Sequence, residues 1–563
     1  MAVISFTNFV GANSDISDKL LPENFAVEAT NVFTDQGALS TWKGLKAVTG
    51  TWNSKTGTLK SLFLLNNALW LAWATNKVDA ALVQKESNLD WELAFTGTDK
   101  PRYTSKLLAI SGGGTAYPEV SYPLGIIAPT AALVTTVVAK SSPAGSVKIS
   151  WQIAGTVDDT VGNRIARSYV YTYVNASGRE GPPSPVSNIA YSNDDELVRL
   201  TGLPTAPQAD ITKIRVYVSA TGGTFNFLKE ITLPATTNDI TDNTFGSAIT
   251  TTLYSPPPDT LVGLAAMANG ILVGYSGNNL YFSEPYQSHA WPEDYIKPMD
   301  YPIKGVSAIG NMSFVSTEGS PVVVVGNHPS FMTFNKLGAI QANVSDRSMV
   351  DMGNGAMYAS RDGIVLLAGG KASMVSDGII SERVYQLMAP SSIHAYFYRD
   401  KYFGFYDSGS AGTLATATGE YIPAKGAFIL DPKRGAVTFT DVTCDTAFSD
   451  KVTGKLYLAR LESGVNKLYE WNEGTTNLVQ AWRSKPVETV PMNLACARVW
   501  ADRYPLTLEL YADNELVHTE YVLSEDAFRL PSGFRARKWV ARVTGDTHVN
   551  GIFLANSAAE LRQ

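Results

Sequence analysis

The feature that most narrows the fold is a recurrence of short apolar and aromatic runs joined by turn residues. Leu62–Leu65 and Ala68–Leu71 flank Asn66-Asn67, and Ile271–Val273 follows Asn269-Gly270. Leu280–Phe282 follows Gly277-Asn-Asn279, and Ile364–Leu367 follows Asp362-Gly363. Asn and Gly in such places supply the positive φ angles of type I′ turns, whose twist matches that of paired strands. Further turns fall at Gly310-Asn311, Gly353-Asn354-Gly355, Arg399-Asp400 and Thr453-Gly454. From Asn269 onward they recur roughly every 40–55 residues, the length of a four-stranded propeller blade. The predicted fold class is all-β with a β-propeller-like body; stacked β-sandwiches would satisfy the same strand pattern.

The stretch 129–258 has a different character. Val147, Ile149 and Trp151 alternate along one strand face, and Tyr169, Tyr171 and Tyr173 along another. The loop Ser177-Gly-Arg-Glu-Gly-Pro-Pro-Ser-Pro185 follows, then Leu200-Thr-Gly-Leu203 and the strand Ile214–Val218, with Gly222-Gly223 beyond it. A Trp in an early strand, a Leu-x-x-Leu corner and an alternating aromatic strand resemble a fibronectin type III sandwich. Pro256-Pro257-Pro258 makes a stiff exit. Blade-like strands lie on both sides, so the module reads as an insertion.

At 563 residues the chain exceeds one hydrophobic core. The division expected is 1–128 for an N-terminal helix and first propeller-like strands, and 129–258 for the fibronectin-like insertion. Blades would follow over 259–480, and a C-terminal β unit with a short terminal helix over 481–563. Three helices are predicted. Pro22 and Glu23 open one whose face would carry Phe25, Ala26, Ala29 and Val32. Ser381 N-caps a second running to Met388. Asn556–Leu561 makes the third.

Charged residues are only 17% of the chain, and the net charge is −7. Tight nucleic-acid binding needs a basic patch, because phosphate neutralisation supplies most of the affinity. The densest cluster, Arg535-Ala-Arg537-Lys538, sits in a strand-like segment and reads as a solvated strand face. Two cysteines, Cys444 and Cys496, are too few for a disulfide framework or a structural zinc site. The opening Met1–Phe6 has neither a basic region nor a long apolar one, so no secretory signal is expected. The aliphatic run Val322–Val325 is far short of a bilayer span.

Catalytic chemistry is equally hard to find. His289, His328, His394, His518 and His548 show no metal-ligand spacing. There is no nucleophile elbow and no P-loop; Gly112-Gly113-Gly114 lacks the Lys that would follow. Ser360-Arg-Asp-Gly363 partly resembles a sialidase turn, and a hairpin explains it completely. The aromatics of Ala395–Tyr398 and Tyr402–Tyr406 suit cross-strand pairing, which stabilises sheets by up to about 1 kcal/mol per pair. No catalytic, metal or cofactor residues are assigned, and no enzymatic activity is expected.

Both ends carry a resemblance. Phe6-Thr-Asn-Phe-Val-Gly11, Leu21-Pro22, Ala26, Ala29-Thr-Asn31, Gly37-Ala-Leu39 and Trp42-Lys-Gly44 form the opening pattern. Phe528-Arg-Leu-Pro531-Ser-Gly-Phe534, Arg537, Trp539, Val543 and Val549 form the closing one. Together they resemble the tail nozzle, tubular tail and packaged-DNA stabilisation proteins of short-tailed bacteriophages. The resemblance implies a homo-oligomeric ring in the virion tail, a hexamer, assembled in the host cytoplasm. It would contact an adaptor and a tail fibre or spike, and genomic DNA would pass through its lumen during ejection. An acidic or neutral wall suits DNA that must slide without being gripped. Two other readings stay open: a carbohydrate- or receptor-binding propeller of the virion, and a glycoside hydrolase.

Overall fold

The computed structural model describes residues 4–561, apart from 35–36, 50–51, 84–90, 140–147, 150–163, 193–195, 220–222, 242–243, 339, 416–420 and 432. The sequence expectations for Val147, Trp151 and Gly222 lie outside the described residues.

Seven antiparallel sheets form a closed ring. Blade 1 holds Ser61–Leu65 and Leu69–Trp73. Blade 2 holds Asp79–Val83, Glu92–Thr96, Arg102–Ser105 and Tyr122–Pro123. Blades 3, 4 and 5 run over 262–298, 303–336 and 350–374, four strands each. Blade 6 comprises His394–Tyr398, Lys401–Asp407, Lys425–Asp431 and Ala436–Thr440. Blade 7 has Thr446–Asp450, Lys455–Glu462 and Val465–Glu470, and takes its fourth strand, Lys46–Ala47, from near the start of the chain. From blade 3 onward the first strands begin at residues 262, 303, 350, 394 and 446, which is the repeat expected from the turns.

Closure is visible in the packing. Leu65, Leu71 and Trp73 of blade 1 meet Leu93 and Phe95 of blade 2, and Ala94 and Tyr103 then meet Leu264 and Leu272 of blade 3. Val273 and Phe282 meet Val315 of blade 4, whose Phe314 and Val323 meet Tyr358 and Leu367 of blade 5. Met357 and Ile364 meet Ala395 and Tyr402 of blade 6, whose Phe403 and Ile429 meet Leu456 and Leu458 of blade 7. Ala459 and Leu468 return to Leu62, Trp70 and Ala72 of blade 1. Each buried large side chain contributes about 1.5–3 kcal/mol, so every seam of the ring stabilises it.

Some of the hairpin turns carry the paired positive φ of a type I′ turn, while Gly310-Asn311, Gly353-Asn354-Gly355 and Thr453-Gly454 have it at one residue each. Asn66-Asn67, Arg399-Asp400 and Asp513-Asn514 carry positive φ at both positions. Asp362-Gly363, expected as a type I′ turn, is not one, since neither residue has positive φ. There the Ser360 hydroxyl accepts from the Asp362 and Gly363 amides and closes a wider loop. The aromatics of blade 6 pair across strands, as with Tyr398 and Phe403 at 5.5 Å and Tyr402 and Phe428 at 5.8 Å.

Between blades 2 and 3 the chain leaves to build a two-sheet sandwich. One sheet holds Val134–Ala139, Lys148–Ile149, Glu196–Thr201 and Thr237–Ile240. The other holds Ile165–Asn175, Glu180–Pro183, Ile211–Ser219 and Asn226–Thr232, with Ala190–Ser192 beside its longest strand. Tyr169, Tyr171 and Tyr173 face Val137, Val198 and Leu200 in the core between them.

The remaining residues form a platform made from both chain ends. The outer strand of blade 6 continues through Ala26–Thr30 and Gln480–Ser484 to Ala536–Gly545, Leu506–Ala512 and Glu515–Val522 in one ten-stranded sheet, with Val487–Met492 beside Ala536–Gly545. A second sheet joins Ile4–Phe6, Val549–Ala555, Cys496–Ala501 and Phe528–Arg529. The helix expected from Pro22 is therefore absent: Ala26–Thr30 is a strand. Its slot between two existing strands satisfies its backbone groups in the ladder, and that outweighs local helix propensity. Ser381 does N-cap a helix, Glu382–Leu387, through its hydroxyl. The terminal helix is a single 3-10 turn, Ala558–Leu561.

Candidate functional site: the axial cavity and the two-ended platform

The first strands of the blades converge on the ring axis, where Ser61, Asp79, Val306, Ala395 and Thr446 line one cavity. It adjoins a larger cavity of about 500 Å³, and Lys60 and Arg347 line both. Arg347 is fixed by its Nη2, which donates to the backbone oxygens of Lys60 and Asp445, each at 3.0 Å. Thr446 Oγ1 donates to the same Lys60 oxygen at 3.2 Å. On the wall of the axial cavity, Lys77 pairs with Asp79 at 3.2 Å and donates to the Asp346 carbonyl.

His394 stands in the larger cavity, stacked on Phe405 at 5.4 Å, with Nδ1 3.3 Å from the Tyr396 hydroxyl. Burial, and then the charges of Arg347 and Lys60, hold its imidazole down to about 3, so it is neutral across the physiological range. Burial likewise keeps the Cys444 thiol far above its ordinary value, and a protonated thiol is a poor nucleophile. Asp407, Asp445 and Glu462 supply carboxylates to the wall, with Asp407 paired to Lys425 at 2.7 Å. Lys425 and Arg460 line it as well as Lys60 and Arg347, so the cavity can hold a polar molecule between cations and several acceptors.

The inserted sandwich is docked by a buried polar socket. Its loop carries Arg179, which pairs with Glu92 of blade 2 at 2.5 Å, and Ser177, which donates to the same carboxylate. Tyr103 of blade 2 donates to Asp210 at 3.0 Å, and the Arg179 guanidinium lies over the Tyr103 ring. Burial raises the Asp210 carboxyl against its hydrogen bonds. From the blade 3 side, His289 Nε2 donates to the Glu180 carbonyl at 2.9 Å. The loop singled out at Ser177–Pro185 is a docking element.

The platform brings the two terminal patterns together. Ser5 pairs with Phe553, and Leu39 exchanges two backbone hydrogen bonds with Val549. Phe6 and Phe9 pack edge-on against Trp482 at 5.7 and 4.8 Å. Arg542 grips Glu28 through Nε and Nη2 at 2.7 and 3.1 Å and reaches Glu509 through Nη1. One edge of the large sheet is the strand Glu515–Val522, where Leu516, Tyr521 and the adjoining Leu523 are 52%, 61% and 72% exposed.

The other histidines are dispersed. His328 caps a short turn, His518 sits beside Glu520 on the edge strand, and His548 meets the Ser40 hydroxyl. Both cysteines are free, and no group of His, Cys, Asp and Glu among the described residues could hold a metal ion. Lys60 and Arg347 carried no sequence signal. Only closure of the ring brings residue 60 beside residue 347.

No family model matches the chain, and no curated protein matches it. Among solved structures, the chain is similar to the WD40 domain of Neurospora crassa Pan2, at 9% identity and a TM-score of 0.25, covering 47% of this chain and 74% of that one. It is similar to the N-terminal domain of Nup159 at 10% identity and 0.23, covering 60% and 86%. A third is an exo-β-1,3-galactanase of Phanerochaete chrysosporium at 9% and 0.18, covering 69% and 100%. Likenesses this loose bear on neither activity nor partners. The fold rests on the chain's own sheets: an all-β, seven-bladed propeller with an inserted sandwich and a platform built from both termini.

Proposed function

We propose that the protein is a structural ring subunit of a short-tailed bacteriophage tail, of the nozzle or tubular type. The observation that supports this most is that the two stretches resembling that family, at opposite ends of the chain, fold into one platform. A resemblance concentrated in one β unit, with Trp42 reaching from it into the seam of blades 6 and 7, is what a shared assembly module would leave. The exposed apolar side chains at the platform's edge suit a head-to-tail contact with the next copy, the kind of contact that closes rings. In this role the propeller and sandwich provide shape, the neighbours are an adaptor and a fibre or spike, and DNA crosses the lumen without being gripped. The subunit performs no catalysis, and purified protein should release no reducing sugar from host polysaccharide.

The test is microscopy of purified particles and of the isolated protein with its neighbours. A ring at the tail, lost when Tyr521→Lys and Leu523→Lys are combined in a protein that still folds, is the expected result. Particles without this chain would overturn the proposal.

A further inference from the structure

We infer that the larger cavity, beside the axial one, is a binding site for an acidic monosaccharide, a molecule with one carboxylate and several hydroxyls. The inference stands apart from the tail assignment and uses none of it. The cavity, about 500 Å³, falls in the range of small-molecule sites and far exceeds what one ion requires.

Its two kinds of polar group divide the work. Lys60 and Arg347 are joined through the Lys60 carbonyl, which holds the two cations on one patch. Arg347 commits Nη2 to two backbone oxygens, while Nε and Nη1 have no protein acceptor among the described residues. No carboxylate pairs with Lys60 or Arg347 among the described residues. A guanidinium fixed in this way is preorganised for a carboxylate, with an ammonium beside it.

Asp407, Asp445 and Glu462 face the same space from blades 6 and 7. Ionised carboxylates are acceptors only, and sugar hydroxyls are donors suited to them. Lys425 and Arg460 line the cavity too, and Asp407 and Glu462 are paired with Lys425 and Lys467 at 2.7 and 3.1 Å, so Lys60 and Arg347 answer the ligand's carboxylate while the remaining lone pairs of the carboxylates accept from its hydroxyls. A monoanionic, polyhydroxylated ligand satisfies both halves of the wall. A neutral sugar leaves Lys60 and Arg347 unanswered, and inorganic phosphate offers the wall's acceptors fewer hydroxyls.

Isothermal titration of the full chain with glucuronate, glucose and inorganic phosphate at pH 7 tests this. Glucuronate should bind saturably, and glucose and phosphate each at least about tenfold more weakly. Lys60→Met should lower glucuronate affinity about tenfold or more, and the Lys60 ammonium makes no ion pair among the described residues whose loss could unfold the chain. Arg347→Gln should do the same, with its melting temperature compared to wild type. Lys77→Met, in the neighbouring axial cavity and already paired with Asp79, should leave affinity unchanged. No saturable glucuronate binding, phosphate binding as tightly as glucuronate, or affinity indifferent to Lys60→Met would each overturn the inference.

Discussion

His289 shows how a single side chain can set the pH behaviour of the fold. It is buried in the socket, donating from Nε2 to the Glu180 carbonyl, while its Nδ1 is buried with no partner. Burial, reinforced by the Arg179 charge, holds the imidazole down to about 3. Above pH 6.5 both folded and unfolded states carry it neutral, and it costs nothing. Below that, the unfolded chain binds a proton that the folded chain refuses, so stability falls as pH drops from 6.5 towards 3. The slope is up to about 1.4 kcal/mol per pH unit for one such group. His289→Gln keeps an amide donor for Glu180 and removes the titration. Relative to wild type, the variant should gain about 2 kcal/mol on going from pH 7.5 to pH 5, read from urea unfolding at the two values. Equal pH slopes in both proteins would show that His289 is not a buried neutral group.

Among the elements, the two-residue strand Lys46–Ala47 has a role out of proportion to its length. It is the fourth strand of blade 7, and Val48 extends the contact by donating to Leu468 at 2.9 Å. Val48→Pro removes that donor and leaves the Leu468 oxygen unpaired, at a cost of about 1–3 kcal/mol. Because blade 7 packs on blade 1, the loss should lower the urea midpoint of the whole chain; local fraying with an unchanged midpoint would show that closure is not cooperative. The hairpins were readable because Asn and Gly at turns act locally. Phe25, Ala26, Ala29 and Val32 misled for a physical reason: the register shifts between Ala26 and Glu28, so the bulge breaks the alternation that marks a strand. Pairing between distant segments was not readable, because no local pattern reveals that residue 47 closes a blade begun at residue 446. For the same reason the cavity's cations were invisible, while the Ser177–Pro185 loop could be seen but not its socket.

At the scale of the whole molecule, the sandwich is a separable insertion held by a specific socket. The chain leaves and re-enters at one point: a Cβ placed on Gly125 would lie 2.5 Å from the Pro256 side chain, so the two crossing segments touch. The sandwich has its own core, made of residues from both its sheets. Ring closure, by contrast, runs entirely through blades 1–7, and the platform through the two termini. Replacing residues 127–255 by a short Gly-Ser linker therefore removes no seam of the ring. Closing a short loop between adjacent points costs little entropy, and each doubling of its length adds only about 0.6 kcal/mol. The socket, however, loses its other half: Glu92 is left without Arg179 and Tyr103 without Asp210. Water can reach both groups once the sandwich is gone, which softens the penalty of losing these partners. The expected outcome is a folded, cooperatively melting propeller and platform, with a modestly lower melting temperature and a strand-rich circular dichroism spectrum. Glu92→Gln should then destabilise the full chain, where it breaks a buried pair, and scarcely affect the deletion, where the pair is already gone. An insoluble or molten deletion would mean that the ring needs the sandwich to close, contrary to the seams seen between its blades.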